Sequence, residues 1–274
     1  MSATASGGFP DLRIVPLGDL LLHEEVDLER VARLLDRLSA DGILRNPPIV
    51  ASLPGSERYL LLDGANRVSA IDNLDIPHLL VQVEPYENEH LEIGHWNHVV
   101  RDIEADDLVE RAGAIAGVDV VDGEIPAEGY LASIATNDDR AIHLVTTEPM
   151  SGRVRHLRAI VDLYYKGEAR LDRVNHSDVV TLREQHPHFG ALVTFPDFSK
   201  AEVRAVAEAG DRLPSGVTRI LVPRRVLGFN LRLPLLRSSL PLEEKRRWLA
   251  DEIQHKVSEH KVRYYQEPTF IFDD

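Results

Sequence analysis

The chain has 274 residues, 43% apolar and 28% charged, enough to bury one large domain or two small ones and unlike a collagen or low-complexity chain. It has no cysteine, which excludes disulfides, thiolate metal sites and cysteine nucleophiles. Its 45 acidic residues against 31 lysines and arginines give a net charge of −14, which disfavours a nonspecific DNA binder unless one face is locally basic.

The opening MSATASGGFP has neither a basic n-region nor an apolar h-region, so no secretory signal is expected, and no apolar run approaches the roughly 18 residues of a membrane span. The expected setting is cytoplasmic, with residues 1–11 a flexible tail. LRIVPL (12–17) predicts a short strand. Asp27 is placed to cap a helix ending near Ala40, with Leu28, Val31, Leu34, Leu35 and Leu38 on its apolar face and Asp41-Gly42 as its stop.

Pro47-Pro48 opens a strand through Ala51, Gly55-Ser56 makes a turn, and RYLLLD (58–63) is a second strand. A helix follows from about Asn66 to Leu74, then the strand HLLVQV (78–83). Residues 106–150 have weak periodicity. Helices are expected over 153–165, 199–209 and 242–260, and strands at 191–195 and 216–223. The last helix buries Leu242, Trp248, Leu249, Ile253 and Val257 in this reading. Together these elements predict an α+β fold with a tail (1–11), an N-terminal unit (12–104) and a mixed α/β C-terminal unit (105–274) that completes a cleft.

Four stretches carry possible chemistry. In LLLDGANR (60–67) a strand delivers Asp63 and Gly64 to a helix mouth, where free N–H groups suit phosphate and Arg67 can clamp it. The same spacing also fits an ordinary Asp-Gly turn. His23-Glu24-Glu25 precedes the first helix, so its carboxylates are either a dipole complement or a general base. HLEIGHWNHVV (90–100) offers His90, His95 and His98 as zinc ligands, though without a recognisable third spacing, and Trp96 as core or pocket wall. LPSGVTRILVPRR (213–225) places Thr218 and Arg219 at a strand start, as a rim charge or an anion receptor. A P-loop signature, a strand-bound G-x-G-x-x-G and a G-x-S-x-G elbow are all absent.

Taken in order, Leu22-His23-Glu24, GILRNPPIV (42–50), YLLLDGANR (59–67), IPHLLVQV (76–83), Trp96 and Gly216-Val217-Thr218-Arg219 resemble the ParB/sulfiredoxin-like superfamily, and within it the free serine kinase branch. The likeness covers about residues 12–100 and 212–240. It implies a ParB/sulfiredoxin-like N-terminal domain that binds nucleotide, and phosphoryl transfer from ADP or ATP, with Mg2+, to the hydroxyl of free L-serine, giving O-phosphoserine. By the resemblance Glu24 is the base for the serine hydroxyl and Asp63 lies near magnesium and phosphate. Gly64, Ala65, Asn66, Arg67 and Arg45 bind the nucleotide phosphates, and Trp96, Thr218 and Arg219 build the serine pocket.

One position departs from the family pattern. Asn66 stands where the family has His before Arg; Asn can donate to phosphate but cannot carry charge. A ParB-like regulator that binds nucleotide or DNA with little or no turnover is the alternative reading. A metal-dependent hydrolase or nuclease is a third, resting on the three histidines alone.

Overall fold

The computed structural model describes residues 9–135, 140–166, 170–186 and 188–265. The expected tail lies outside the described residues up to Gly8, and Asp11 already belongs to a strand. In chain order the elements are β1 (Asp11–Pro16), a 3-10 turn (Leu17–Asp19), β2 (Leu20–Leu22), α1 (Leu28–Asp41), β3 (Ile43–Leu44), β4 (Ile49–Ser52), β5 (Tyr59–Asp63), α2 (Ala65–Asp72) and β6 (His78–Pro85). There follow β7 (Glu92–His95), β8 (Asn97–Arg101), α3 (Ala105–Gly113), β9 (Asp119–Asp122), β10 (Tyr130–Ala135), β11 (Ala141–Val145), α4 (Met150–Tyr165), β12 (Arg170–Val174), α5 (Val179–Gln185) and β13 (Phe189–Thr194). The chain then forms α6 (Lys200–Glu208), β14 (Thr218–Leu221), β15 (Leu231–Arg232), α7 (Leu233–Arg237) and α8 (Leu242–Ser258).

A mixed five-stranded sheet and an antiparallel six-stranded sheet organise these elements. The first has the order β1-β6-β4-β5-β2, the second β12-β8-β13-β10-β11-β9; β14 pairs with β7, and β15 with β3. The fold class is α+β, as the sequence predicts. The unbroken apolar run of β5 has a simple cause: its strand is covered on both faces. Leu60 and Leu62 pack into the cluster shared with the second sheet, and Leu61 into the cluster under α1, α2 and α8.

The two apolar clusters do not divide the chain at one point. β8 belongs to the second sheet, while Phe229, Leu231, Leu233, Leu236 and Leu249 return to cover the first. Helix α1 starts and stops as expected: Asp27 accepts the Arg30 N–H, and Gly42 closes it at φ +64°. Leu28, however, is exposed, because the first helical residue precedes the turn that reaches the core.

Helix α8 departs further from its predicted face. Trp248 and Val257 lie on the solvent side, and Lys245 is fully buried beside Leu249. The face runs through 242, 245, 249 and 253, and Trp248 is one step of about 100° off it. The Lys245 ammonium is held by the carbonyls of Leu236 (2.6 Å) and Ser238 (2.8 Å) and by His78 Nδ1 (3.0 Å), so it satisfies the carbonyl end of α7. Among the described residues no helix is long and apolar enough to cross a membrane.

Candidate active site

β2 and β5 run parallel, with Leu22 opposite Leu61. Both chains therefore leave the sheet at the same edge, and His23-Glu24 emerges beside Leu62-Asp63. Crevices at the carboxyl ends of parallel strands are common binding sites. A third stretch is tied onto this edge: Leu213 N–H donates to the His23 carbonyl (2.7 Å) and Glu25 N–H to the Leu213 carbonyl (2.8 Å). Residues 215–219 thereby lie over Glu24, and β14 carries Trp96 along through its pairing with β7 and the Trp96 N–H bond to Val217 (2.9 Å).

These segments enclose a cleft of about 780 Å³ lined by Glu24, Asp63, Gly64, Ala65, Asn66, Arg67, Trp96, Thr218 and Arg219. Nine of the residues picked from sequence thus face one cavity. Arg45 is not among them: it is exposed, pairs with Asp41 at 3.1 Å and lines an adjoining cavity of about 160 Å³ that shares Leu34, Arg37, Arg67 and Arg225 with the cleft. The three histidines are also separated. His98 is buried in the core, His95 bonds Asp197 (2.7 Å), and His90 stands exposed beside Glu89. No group of three His, Asp or Glu residues able to hold a metal occurs among the described residues.

Glu24 and Glu25 have different surroundings. Glu25 is paired with Arg158, which also holds Asp211. Glu24 accepts the Thr218 N–H at 2.8 Å and the Gly216 N–H at 3.3 Å, and the Thr218 hydroxyl bonds the same carboxylate. His98 fixes this corner from behind. Burial pushes its imidazole down to about 4, so it is neutral; its Nε2–H donates to the Gly216 carbonyl (2.9 Å) and its Nδ1 accepts from the Tyr164 hydroxyl (2.8 Å).

At the other end, Gly64 introduces α2 at φ +104°, where a Cβ would stand 3.0 Å from that of Pro48 and 3.1 Å from Arg67 Nη2. A side chain would be strained and crowded there, and would narrow the approach to the N–H groups of residues 65–67, which have no intrahelical partner. Asp63 is shared by two guanidinium groups, Arg67 at 3.1 Å and Arg225. Burial raises its carboxyl, but the two arginines outweigh this and hold it below the usual carboxylate range. Arg67 is braced by the carbonyls of Asn46 (2.9 Å) and Pro47 (3.3 Å).

Asn66 accepts the Asp27 N–H with its side-chain oxygen (2.8 Å), which ties the mouth of α2 to the start of α1 and leaves its amide nitrogen for a ligand. Trp96 is half-buried, and the Arg219 guanidinium lies 5.0 Å from its ring centroid.

Sequence reading missed Arg173 and the role of Arg225. Buried Gln82 places Arg225 by holding the backbone on both sides of it, the Arg224 carbonyl (2.9 Å) and the Val226 N–H (2.8 Å). No local signal marks such a long-range clasp. The cleft is lined by seven arginines (30, 33, 37, 67, 173, 219 and 225) against Glu24, Glu25 and Asp63, so it is basic within an acidic protein.

No family model matches the chain. The ATP-dependent L-serine kinase SbnI of Staphylococcus aureus is 23% identical over 265 residues, which is 96% of this chain and 97% of that one. A structure of SbnI from the same organism, with a C-terminal truncation, superposes with a TM-score of 0.72 over 88% of this chain and 97% of its own, at 23% identity. A free serine kinase in complex with AMP superposes with a TM-score of 0.71 at 15% identity, covering 83% of this chain and 94% of that one. The fold is that of the free serine kinases. The resemblance read from the ordered motifs therefore extends over almost the whole chain, including the stretch 105–190 that no sequence motif covers.

Proposed function

We propose that the protein is a small-molecule kinase that transfers the terminal phosphate of a nucleotide to the hydroxyl of free L-serine, giving O-phospho-L-serine. The observation that carries this reading is the single cleft with a carboxylate base at one end and a helix mouth flanked by Arg67 and Arg225 at the other. The names of the relatives support ATP as the donor. In this reading residues 12–104 supply the nucleotide side and the C-terminal part the acceptor side of the cleft.

Phosphoryl transfer needs little covalent help from the protein; it needs alignment and charge stabilisation. The N–H groups at the start of α2, Arg67, Arg225 and the amide of Asn66 receive the phosphates. Arg219, stacked on Trp96, receives the serine carboxylate. Glu24 takes the serine hydroxyl proton as that oxygen bonds the terminal phosphorus. The bond from phosphorus to the bridging oxygen breaks, and its electron pair leaves on the nucleotide.

Magnesium carried on the nucleotide supplies charge neutralisation when bound. Asp63 is the carboxylate at the phosphate end, which fits an ion held mostly by phosphate and water and does not form a resident cation site.

The test is to incubate the purified protein with L-serine, Mg2+ and ATP or ADP, and to assay O-phosphoserine. ATP is expected to serve and Glu24→Gln to lose at least about 100-fold in kcat, the usual scale for a general base. Absence of product with either nucleotide, or full activity in Glu24→Gln, defeats the proposal.

A further inference from the structure

The arginines of the cleft differ in what already holds them. Arg30 pairs with Asp27, Arg33 with Glu29, and Arg67 and Arg225 share Asp63. Arg37 is exposed on α1, and Arg219 stacks on Trp96. Arg173 has neither a carboxylate nor an aromatic partner among the described residues. It is half-buried in the cleft wall, its Nε is shut off from water with no acceptor, and its one hydrogen bond runs from Nη2 to the Ser215 carbonyl at a long 3.3 Å. Withdrawing an ionised group from water without a counter-charge is costly. Such a guanidinium is completed by an anion that arrives with a ligand.

Its position says which end of the ligand that anion belongs to. β12 pairs with β8 so that Arg173 stands opposite His98, and His98 holds the Gly216 carbonyl. The guanidinium fills the space that a side chain on residue 216 would need: a Cβ there would stand 2.0 Å from Nε and 2.3 Å from Nη2. The Gly216 N–H faces Glu24, and the Val217 carbonyl receives the Trp96 N–H. Residues 216–219 thus gather Arg173, the base and the Trp96–Arg219 stack at one end of the cleft, away from the mouth of α2. The carboxylates around them are engaged. Glu25 pairs with Arg158, Asp63 is held by two arginines, and Glu24 is cradled by the N–H groups of residues 216 and 218.

We propose that Arg173 is a specificity-determining residue that binds the carboxylate of the acceptor, sharing it with Arg219, so that the cleft selects a short alcohol bearing a carboxylate over its uncharged analogue. The proposal rests on the serine kinase reading. Arg173 meets the carboxylate from the Gly216 side and Arg219 from the Trp96 side, and the hydroxymethyl group is left to face Glu24. A guanidinium suits this task because its planar set of donors matches the two oxygens of a carboxylate. The acceptor's ammonium has no receptor of equal strength, since Glu25 and Asp63 are already neutralised. Selection therefore works through the anion. Arg173 takes no part in moving the proton or the phosphoryl group, so its loss is read in acceptor binding.

Two measurements on the full chain test this. The first compares L-serine with L-serinamide, whose carboxamide is neutral, as acceptors at saturating ATP and Mg2+. In Arg173→Gln, kcat/KM for L-serine is expected to fall about tenfold or more, the scale of a lost charge-assisted hydrogen bond. The fall is expected in the KM for L-serine, with L-serinamide and the KM for ATP near wild type. Arg173→Lys, which keeps the charge without the planar fork, is expected to lie between. An unmoved serine KM in Arg173→Gln, or an equal fall for both acceptors, overturns the proposal. The second is an NMR titration of the nucleotide-free protein with each compound, which reads affinity without turnover. The wild type is expected to prefer L-serine about tenfold or more, and Arg173→Gln to lose most of that preference. Equal affinity of the wild type for both compounds overturns the proposal whether or not the variant folds. If no phosphoserine forms while the titration result holds, the kinase reading has failed and the carboxylate site stands.

Discussion

Arg173 and Gly216 meet at the wall of the cleft so closely that a Cβ on Gly216 would stand 2.0 Å from Arg173 Nε. The glycine has φ +78°, its N–H faces Glu24 at 3.3 Å, and its carbonyl receives His98. Gly216→Ala must therefore displace the guanidinium and strain the backbone by about 1–2 kcal/mol. We expect a lower unfolding midpoint in denaturant together with a fall in kcat of about tenfold or more, since the donor to the base moves. Wild-type kcat in a well-folded Gly216→Ala would show that this corner does not orient Glu24.

Asp63 keeps Arg67 and Arg225 together. In Asp63→Asn the two guanidinium groups lose the charge between them and spread apart. The expected outcome is a rise of about tenfold in the KM for ATP, equivalent to about 1.4 kcal/mol, with the serine KM changed less. Arg225→Ala should act in the same direction. Isothermal titration with ATP reads the same effect without turnover; unaltered affinity in both variants would remove the pair from the phosphate site.

Much of this site is visible in the sequence because it is written locally. Asp63-Gly64-Ala65-Asn66-Arg67 is one strand-to-helix junction, Glu24 closes a short strand, and Thr218-Arg219 opens another. Period and capping also place α1 and most of the first sheet. Arg225 and Arg173 were not legible, since their seats depend on Gln82 and Gly216, residues 143 and 43 positions away in the chain. Trp248, expected on the buried face of α8, lies outside and Lys245 takes an inner place for a related reason. Helical period ranks residues by apolarity, whereas the carbonyl end of α7 needs a donor.

Asn66 serves the fold as well as the cleft. Its side-chain oxygen takes the Asp27 N–H just before α1, and Asp27 in turn caps that helix and accepts the Tyr165 hydroxyl. Asn66→Ala is expected to destabilise the protein by about 1 kcal/mol, the usual net worth of one such bond, and to weaken nucleotide binding. Asn66→Asp keeps the acceptor but puts a negative charge at the helix mouth, so it should restore stability while lowering ATP affinity further. Parallel stability and affinity changes in the two variants would contradict the double role.

Acid sensitivity should trace to His98. Its folded value lies near 4 against an ordinary 6.5, because burial penalises the cation. Between those limits the unfolded chain binds a proton that the native protein excludes, so stability rises with pH across this window. Lowering the pH from 6.5 to about 4 is thus expected to remove up to about 3 kcal/mol. The carboxylates held low act lower on the scale: the contributions of Asp27, Asp63 and Asp178 are present above the ordinary 3.8 and lost below it, and that of Glu148 is present above 4.5 and lost below it. Urea unfolding at steps across the upper window checks the assignment. His98→Gln, less stable at neutral pH through its lost contacts to Tyr164 and Gly216, should show a flatter dependence there; a slope equal to that of the wild type would place the titrating group elsewhere.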